Sequence, residues 1–183
     1  PGTLNVLEAA AKLGVLPPGG TPTVALRYWL KRENVAPNDV SFASMGIEAV
    51  QQAMLTGAVD GGTVLEPALT IIQDRKPGIR TIAFAPQMYP ELPGVVVSAT
   101  ERFMTAQAEA TVMLVRLAGR ARDLILADPA KAAPHVQAVL AGGLVDAATY
   151  ERALRSKAIT FEIDPRAIVA ATRGSLAFEV EIG

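Results

Sequence analysis

Three short turns in the first half of the chain hold the residue types needed to grip a small polar guest. The first is Pro17-Pro18-Gly19-Gly20-Thr21, the second Ser44-Met45-Gly46, and the third Thr63-Val64-Leu65-Glu66-Pro67. Adjacent glycines let backbone come close to a ligand, and a helix opening just beyond them presents unpaired N–H groups and the positive end of a dipole. A small anion is the natural guest of Gly19, Gly20 and Thr21, although the same residues also make an ordinary tight turn. The Thr21 hydroxyl serves either as a donor to that anion or as a helix cap. In the second turn Ser44 reads first as a helix cap and Met45 first as core, with ligand contact as the alternative for both and for Gly46. The carboxylate of Glu66 either favours the dipole of the helix that follows or accepts hydrogen bonds from a cationic or amide part of a ligand, with Thr63 beside it.

Catalytic constellations are hard to assemble from the remaining residues. The lysine and glycine spacing of a phosphate-binding P-loop is missing. His135 is the single histidine, follows Pro134, and has neither metal-ligand spacing nor a nucleophile-base partner, so it reads as solvated or capping. Asp60 and Glu66 stand near opposite ends of one strand-like run and make no acid/base pair. With no cysteine in the chain, disulfides, thiolate metal sites and cysteine nucleophiles are all excluded, and no metal or cofactor is expected.

The elements that must position these turns alternate. Five strand-like runs stand out: Lys12 to Leu16, Val40 to Met45, Asp60 to Leu65, Arg80 to Phe84 and Val95 to Ser98. Helical patterns lie between them, which predicts a parallel or mixed sheet with helices on its faces. The first helix is expected to have Thr21 as N-cap and Pro22 at its first position, with Trp29 packed inward. A second should run from Ile47 to Thr56 and end at Gly57, and a third should start at Pro67 and stop at Lys76-Pro77-Gly78. In such sheets ligands sit outside the carboxyl ends of the strands, where all three turns would meet.

The three prolines from Pro86 to Pro93 mark a boundary. Beyond it the alternation stops. A long helix after Thr100 should bury Phe103, Ala106, Ala110, Leu114, Leu117, Ala121 and Leu124 and turn Glu109, Arg116, Arg120 and Asp123 outward. Three shorter helices should open at Asp128-Pro129, Asp146 and Asp164-Pro165, each capped by its aspartate. The tail from Leu176 reads as either a frayed end or a strand.

The chain's 183 residues are 50% hydrophobic, enough for a sizeable core in one domain or two small lobes. A formal net charge of −1 gives no electrostatic footprint for nucleic acid or an acidic membrane. The most apolar stretch, Phe103 to Ala127, carries Arg116, Arg120, Arg122 and Asp123, too many charges for a membrane span. With no basic and apolar leader at the start, the chain is expected either to be cytosolic or to have lost one.

Several blocks are familiar in order and spacing: the run from Lys12-Leu-Gly-Val-Leu-Pro-Pro-Gly-Gly-Thr to Trp29-Leu, then Val40-Ser-Phe-Ala-Ser-Met, Ala49-Val-Gln-Gln-Ala-Met to Asp60-Gly-Gly, and Leu65-Glu-Pro-Ala. Together they resemble the substrate-binding proteins of ABC importers for aliphatic sulfonates, taurine and nitrate, and their pyrimidine-precursor relatives. The resemblance implies an α/β fold of the type II periplasmic-binding kind, here one α/β lobe plus the helical return segment of the other. It implies residues 1–10 as a crossover or remnant of the first lobe, 11–90 as the second lobe, and 91–183 as the return segment, with the N-terminal part of the first lobe missing. The return helices would then expose apolar faces, which another chain could cover.

By the same resemblance the Gly19-Gly20-Thr21 turn gives backbone donors to an anionic group and Thr63 and Glu66 line the neighbouring wall. The implied partners are a small solute and an ABC permease, in a periplasmic or other extracytoplasmic setting with possible lipid anchoring. Two rivals share this fold: an enzyme, and the effector-sensing domain of a transcriptional regulator. The pyrimidine-pathway enzymes that resemble it depend on a cysteine-rich motif absent here.

Overall fold

A computed structural model describes residues 11–36, 39–89, 94–140, 145–161 and 164–182. The chain divides into two compact units, Pro1–Gly94 with Asp164–Gly183, and Val95–Ile163. The expected remnant at residues 1–10 and the stretch 90–93 of the proline-rich boundary lie outside the described residues.

In the first unit β1 (Ala11–Val15), β2 (Val40–Ser44) and β3 (Gly61–Gly62) form a parallel sheet in the order β2-β1-β3. The helix α1 (Thr21–Arg32) links β1 to β2, and α2 (Ile47–Thr56) links β2 to β3; α3 (Ala68–Arg75) and the short α4 (Ala85–Met88) follow. Because β1 is central and the chain moves to one side of it and then to the other, the point where the order reverses lies at the carboxyl end of β1.

Side-chain alternation along the strands builds a core on each face of this sheet. On one face Val15 and Val40 pack with Leu26, Leu30 and Val35, and Leu13, Trp29 and Phe42 close the cluster. On the other, Val50 and Met54 of α2 pack with Val59 and Ile72, against which Leu16, Met45 and Val64 lie. Glycines let β3 come close on that second face: a Cβ on Gly62 would lie 2.6 Å from the Gly14 carbonyl oxygen and 3.1 Å from a Val50 methyl. Trp29 packs inward as expected, and α2 ends at Gly57 in the left-handed conformation, φ 77°, where a side chain would be strained.

Three local expectations need correction. The N-cap of α1 is Gly20 and Thr21 is already helical, with no side-chain cap. The cap shifts because the Gly20 carbonyl accepts from both Thr23 and Val24 N–H groups. The third strand is only Gly61–Gly62; its last ladder contact is the Thr63 N–H on the Gly14 carbonyl at 3.0 Å. Arg80–Phe84 and Val95–Ser98 form no strand. A strand needs a ladder partner, and among the described residues neither run has one.

The second unit is helical: α5 (Glu101–Ala106), α6 (Ala108–Ala127), α7 (Pro129–Val139) and α8 (Ala147–Leu154). The single long helix expected after Thr100 is broken at Gln107, whose φ of −131° leaves the helical region. The aspartate starts hold: Asp128 accepts from the Lys131 N–H and Asp146 from the Thr149 N–H. Pro129, Ala132 and Ala133 of α7 and Thr149, Tyr150 and Ala153 of α8 are buried.

No described residue of α6 is buried, contrary to the expected stripe. Phe103, Leu114 and Leu117 are 38%, 50% and 48% exposed, Ala106 and Ala121 are exposed, and Ala110 and Leu124 are half-buried. An amphipathic stripe is buried only when a surface faces it, and within its unit α6 packs mainly on α5 and α7. The helices α5 and α6 therefore leave apolar side chains exposed.

The last helix, α9 (Pro165–Ile182), belongs to the first unit and lies on α1. Asp164 opens it by accepting from the Arg166 N–H at 2.9 Å. The tail from Leu176 is thus helix, neither frayed nor a strand.

Candidate functional site

The three turns come together because two of them hydrogen-bond to the end of the third one's strand. The Met45 N–H donates to the Val15 carbonyl at 2.9 Å from one side, and the Thr63 N–H to the Gly14 carbonyl at 3.0 Å from the other. Gly19, Gly20 and Thr21 follow directly from β1. The site expected from sequence is therefore a corner at the carboxyl ends of the three strands.

Two helix starts open onto this corner. At α1 the Thr21 N–H has no partner among the described residues, and Pro22 has no N–H to satisfy. At α2 the first N–H groups, of Ile47, Glu48 and Ala49, likewise donate to nothing among the described residues, and the cap residue Gly46 offers no side chain. Such groups favour negative charge. Glu48 is the acidic residue in the first turn of α2 and meets the same dipole from the protein side.

The first turn is held by its own backbone and by a residue that sequence reading passed over. The Gly20 N–H donates to the Pro17 carbonyl at 2.8 Å, and the buried Thr23 hydroxyl donates to the Leu16 carbonyl at 2.7 Å. A Cβ on Gly20 would meet the Pro17 oxygen at 3.1 Å, whereas one on Gly19 would meet nothing within 4 Å. Thr23 stands one helical turn before Arg27. Its spacing carried no sign of this anchoring role.

Each remaining candidate has a definite environment. Ser44 is the exposed last residue of β2, paired in register with Val15, and does not cap α2. Met45 packs on the α2-side core, which fits its reading as core. Glu66 directs Oε2 at Thr70, accepting from its N–H at 3.1 Å and its hydroxyl at 2.8 Å. That geometry ties the first turn of α3, and neither bond uses Oε1. Asp60 lies at the opposite end of the sheet, where Oδ2 accepts from the Lys12 N–H at 2.8 Å.

Thr63 differs from all of these. It is 8% exposed, yet its Oγ1 finds no hydrogen-bond partner among the described residues. Gly62 faces α2, so alternation turns the Thr63 side chain to the opposite face of the sheet. A buried hydroxyl without a partner costs about 1–3 kcal/mol, and such groups call for an explanation.

Other surfaces offer less. A concavity of about 370 Å³ runs along Arg166, Val169, Ala170 and Arg173 of α9, but Arg166 already pairs with Asp164. Among the described residues no three His, Asp or Glu side chains gather as metal ligands, and no helix is long and apolar enough to cross a membrane. His135 is exposed.

A small parallel sheet with many helices is consistent with a periplasmic-binding-protein-like class of fold. The family model described as NMT1-like matches residues 5–141, more than half of the chain. The protein belongs to that family of ABC-type sulfonate, nitrate and taurine substrate-binding proteins. No curated protein and no solved structure matches the chain. Membership carries a solute-binding role.

Proposed function

We propose that the chain captures a small anionic solute, a sulfonate, taurine, nitrate, carboxylate or pyrimidine-like molecule, and delivers it to an ABC permease. The residues around the solute are Gly19, Gly20, Thr21, Ser44, Met45, Gly46, Thr63 and Glu66. Backbone donors of the first and second turns meet the anionic group, the Thr63 hydroxyl adds a side-chain donor, and Glu66 stands on the wall beside it. The site works by binding, without turnover, in an extracytoplasmic setting. Lipid anchoring and closure of the first lobe over the solute belong to the same reading, as does association that covers the exposed apolar side chains of α5 and α6.

The observation that carries this reading is the orphan hydroxyl of Thr63 at the sheet end. A group left unpaired inside a protein is explained economically by a guest that pairs with it. Replacing it with the isosteric valine separates the two roles. Thr63→Val should leave the melting temperature unchanged or raise it, because an unsatisfied polar group is removed. The same substitution should weaken solute binding about tenfold, roughly the worth of one hydrogen bond to a charged group. Calorimetric titration with a panel of sulfonates, nitrate and carboxylates, followed by a melting scan, reads both effects. A variant that loses stability but binds as well as the parent would assign the hydroxyl to the fold instead.

A further inference from the structure

The C-terminal helix α9 meets α1 and the end of α4 at a small aromatic junction. The Tyr28 ring lies 4.4 Å from the Tyr89 ring and 5.1 Å, edge to face, from that of Phe178. Lys31 pairs with Glu181 and sits 5.8 Å over the Phe178 ring. At the centre Gly174 leaves space for a neighbour, since a Cβ there would lie 2.9 Å from the Tyr89 hydroxyl oxygen. Burial, and secondarily the nearby Tyr28, raises the Tyr89 phenol above its ordinary value, so the group that meets Gly174 is neutral.

The rest of α9 is lightly held. Among its described side chains only Ser175 and Phe178 are buried, and Val169, Leu176 and Val180 are 48%, 55% and 83% exposed. Neither core cluster of the sheet contains a described side chain of α9. The Lys31–Glu181 pair is more than half exposed on both sides, and such pairs contribute little.

We infer that α9 is a strap latched onto α1 by the fit of Tyr89 against Gly174, able to release as a unit while the sheet stays folded. Tyr89 directly follows α4, so one contact joins α1, the end of α4 and α9. The latch accounts for a glycine in the interior of α9, where alanine ordinarily stabilises a helix. In place of Gly174, alanine would require the Tyr89 hydroxyl to shift away from α9, which on this inference loosens the junction.

Hydrogen exchange on the full chain, read segment by segment, tests this. Gly174→Ala should speed exchange across 168–181 by about tenfold or more while the amides of β1 and α2 keep their rates, as for any subglobal opening. Adding Tyr89→Phe removes the clashing oxygen and should restore slow exchange in the double variant. Unchanged or slower exchange in Gly174→Ala, the result for an ordinary helix glycine, would overturn the latch. So would equal acceleration of the sheet amides, or failure of Tyr89→Phe to restore α9.

Discussion

Thr63 and Gly62 are neighbours with opposite roles, and the difference is decided by what each side chain would meet. Gly62 has no space for a methyl group: its Cβ would lie 2.6 Å from the Gly14 oxygen. Gly62→Ala should therefore destabilise the sheet by about 1–3 kcal/mol, the usual cost of overpacking, measured by urea unfolding. Gly19 faces open space, so Gly19→Ala should change stability by less than about 0.5 kcal/mol. Gly20 lies between these cases, with extended backbone dihedrals of −76° and 136° and a 3.1 Å approach to Pro17. Gly20→Val should impair anion capture more than it lowers the melting point; the reverse order would make the turn purely structural. Gly19, Gly20 and Thr63 could be placed near the carboxyl ends of strand-like runs from sequence alone. That Thr63 carries an orphan hydroxyl, and that Glu66 spends Oε2 on Thr70, was not legible, because both depend on neighbours fixed only by folding.

The elements were readable in sequence wherever the signal is local. A capping aspartate acts within one turn, so the starts at Asp128, Asp146 and Asp164 follow from residue order alone. The alternation of β1 and β2 with α1 and α2 follows from hydrophobic period, and Gly57 marks its own helix end. Strands need partners, which is why Arg80–Phe84 and Val95–Ser98 look like strands in sequence and are not. The break at Gln107 and the aromatic junction of α9 gave no sequence signal; residues far apart in the chain make the latter. Capping also carries a pH signature. The hydrogen bond from the Thr149 N–H holds the Asp146 carboxyl below its ordinary value of 3.8, with Arg152 adding to the effect. A lowered folded value means that the cap's contribution is complete above the ordinary carboxylate range and fades as pH falls through the lower folded value. The Thr149 amide shift should titrate with a midpoint below 3.8, whereas a midpoint at or above it would mean that the cap is not formed.

For the molecule as a whole, the contrast lies between an α/β unit with two closed core clusters and a helical unit whose longest helix buries nothing. Exposed apolar side chains at Val112, Met113, Leu114, Val115 and Leu117 form the sort of surface that soluble proteins cover. Sedimentation should show association that rises with concentration and that Leu114→Glu with Leu117→Glu abolishes; a monomer at all concentrations would argue against it. The proposed anion site belongs to the other unit, where the starts of α1 and α2 open at the strand ends. It is tested most directly by titrating the isotope-labelled chain with nitrate and short alkyl sulfonates while recording amide spectra. The account predicts saturable shifts concentrated at Thr21, Ile47, Glu48 and Thr63. Shifts confined to the arginines of α9, or none at millimolar solute, would contradict it.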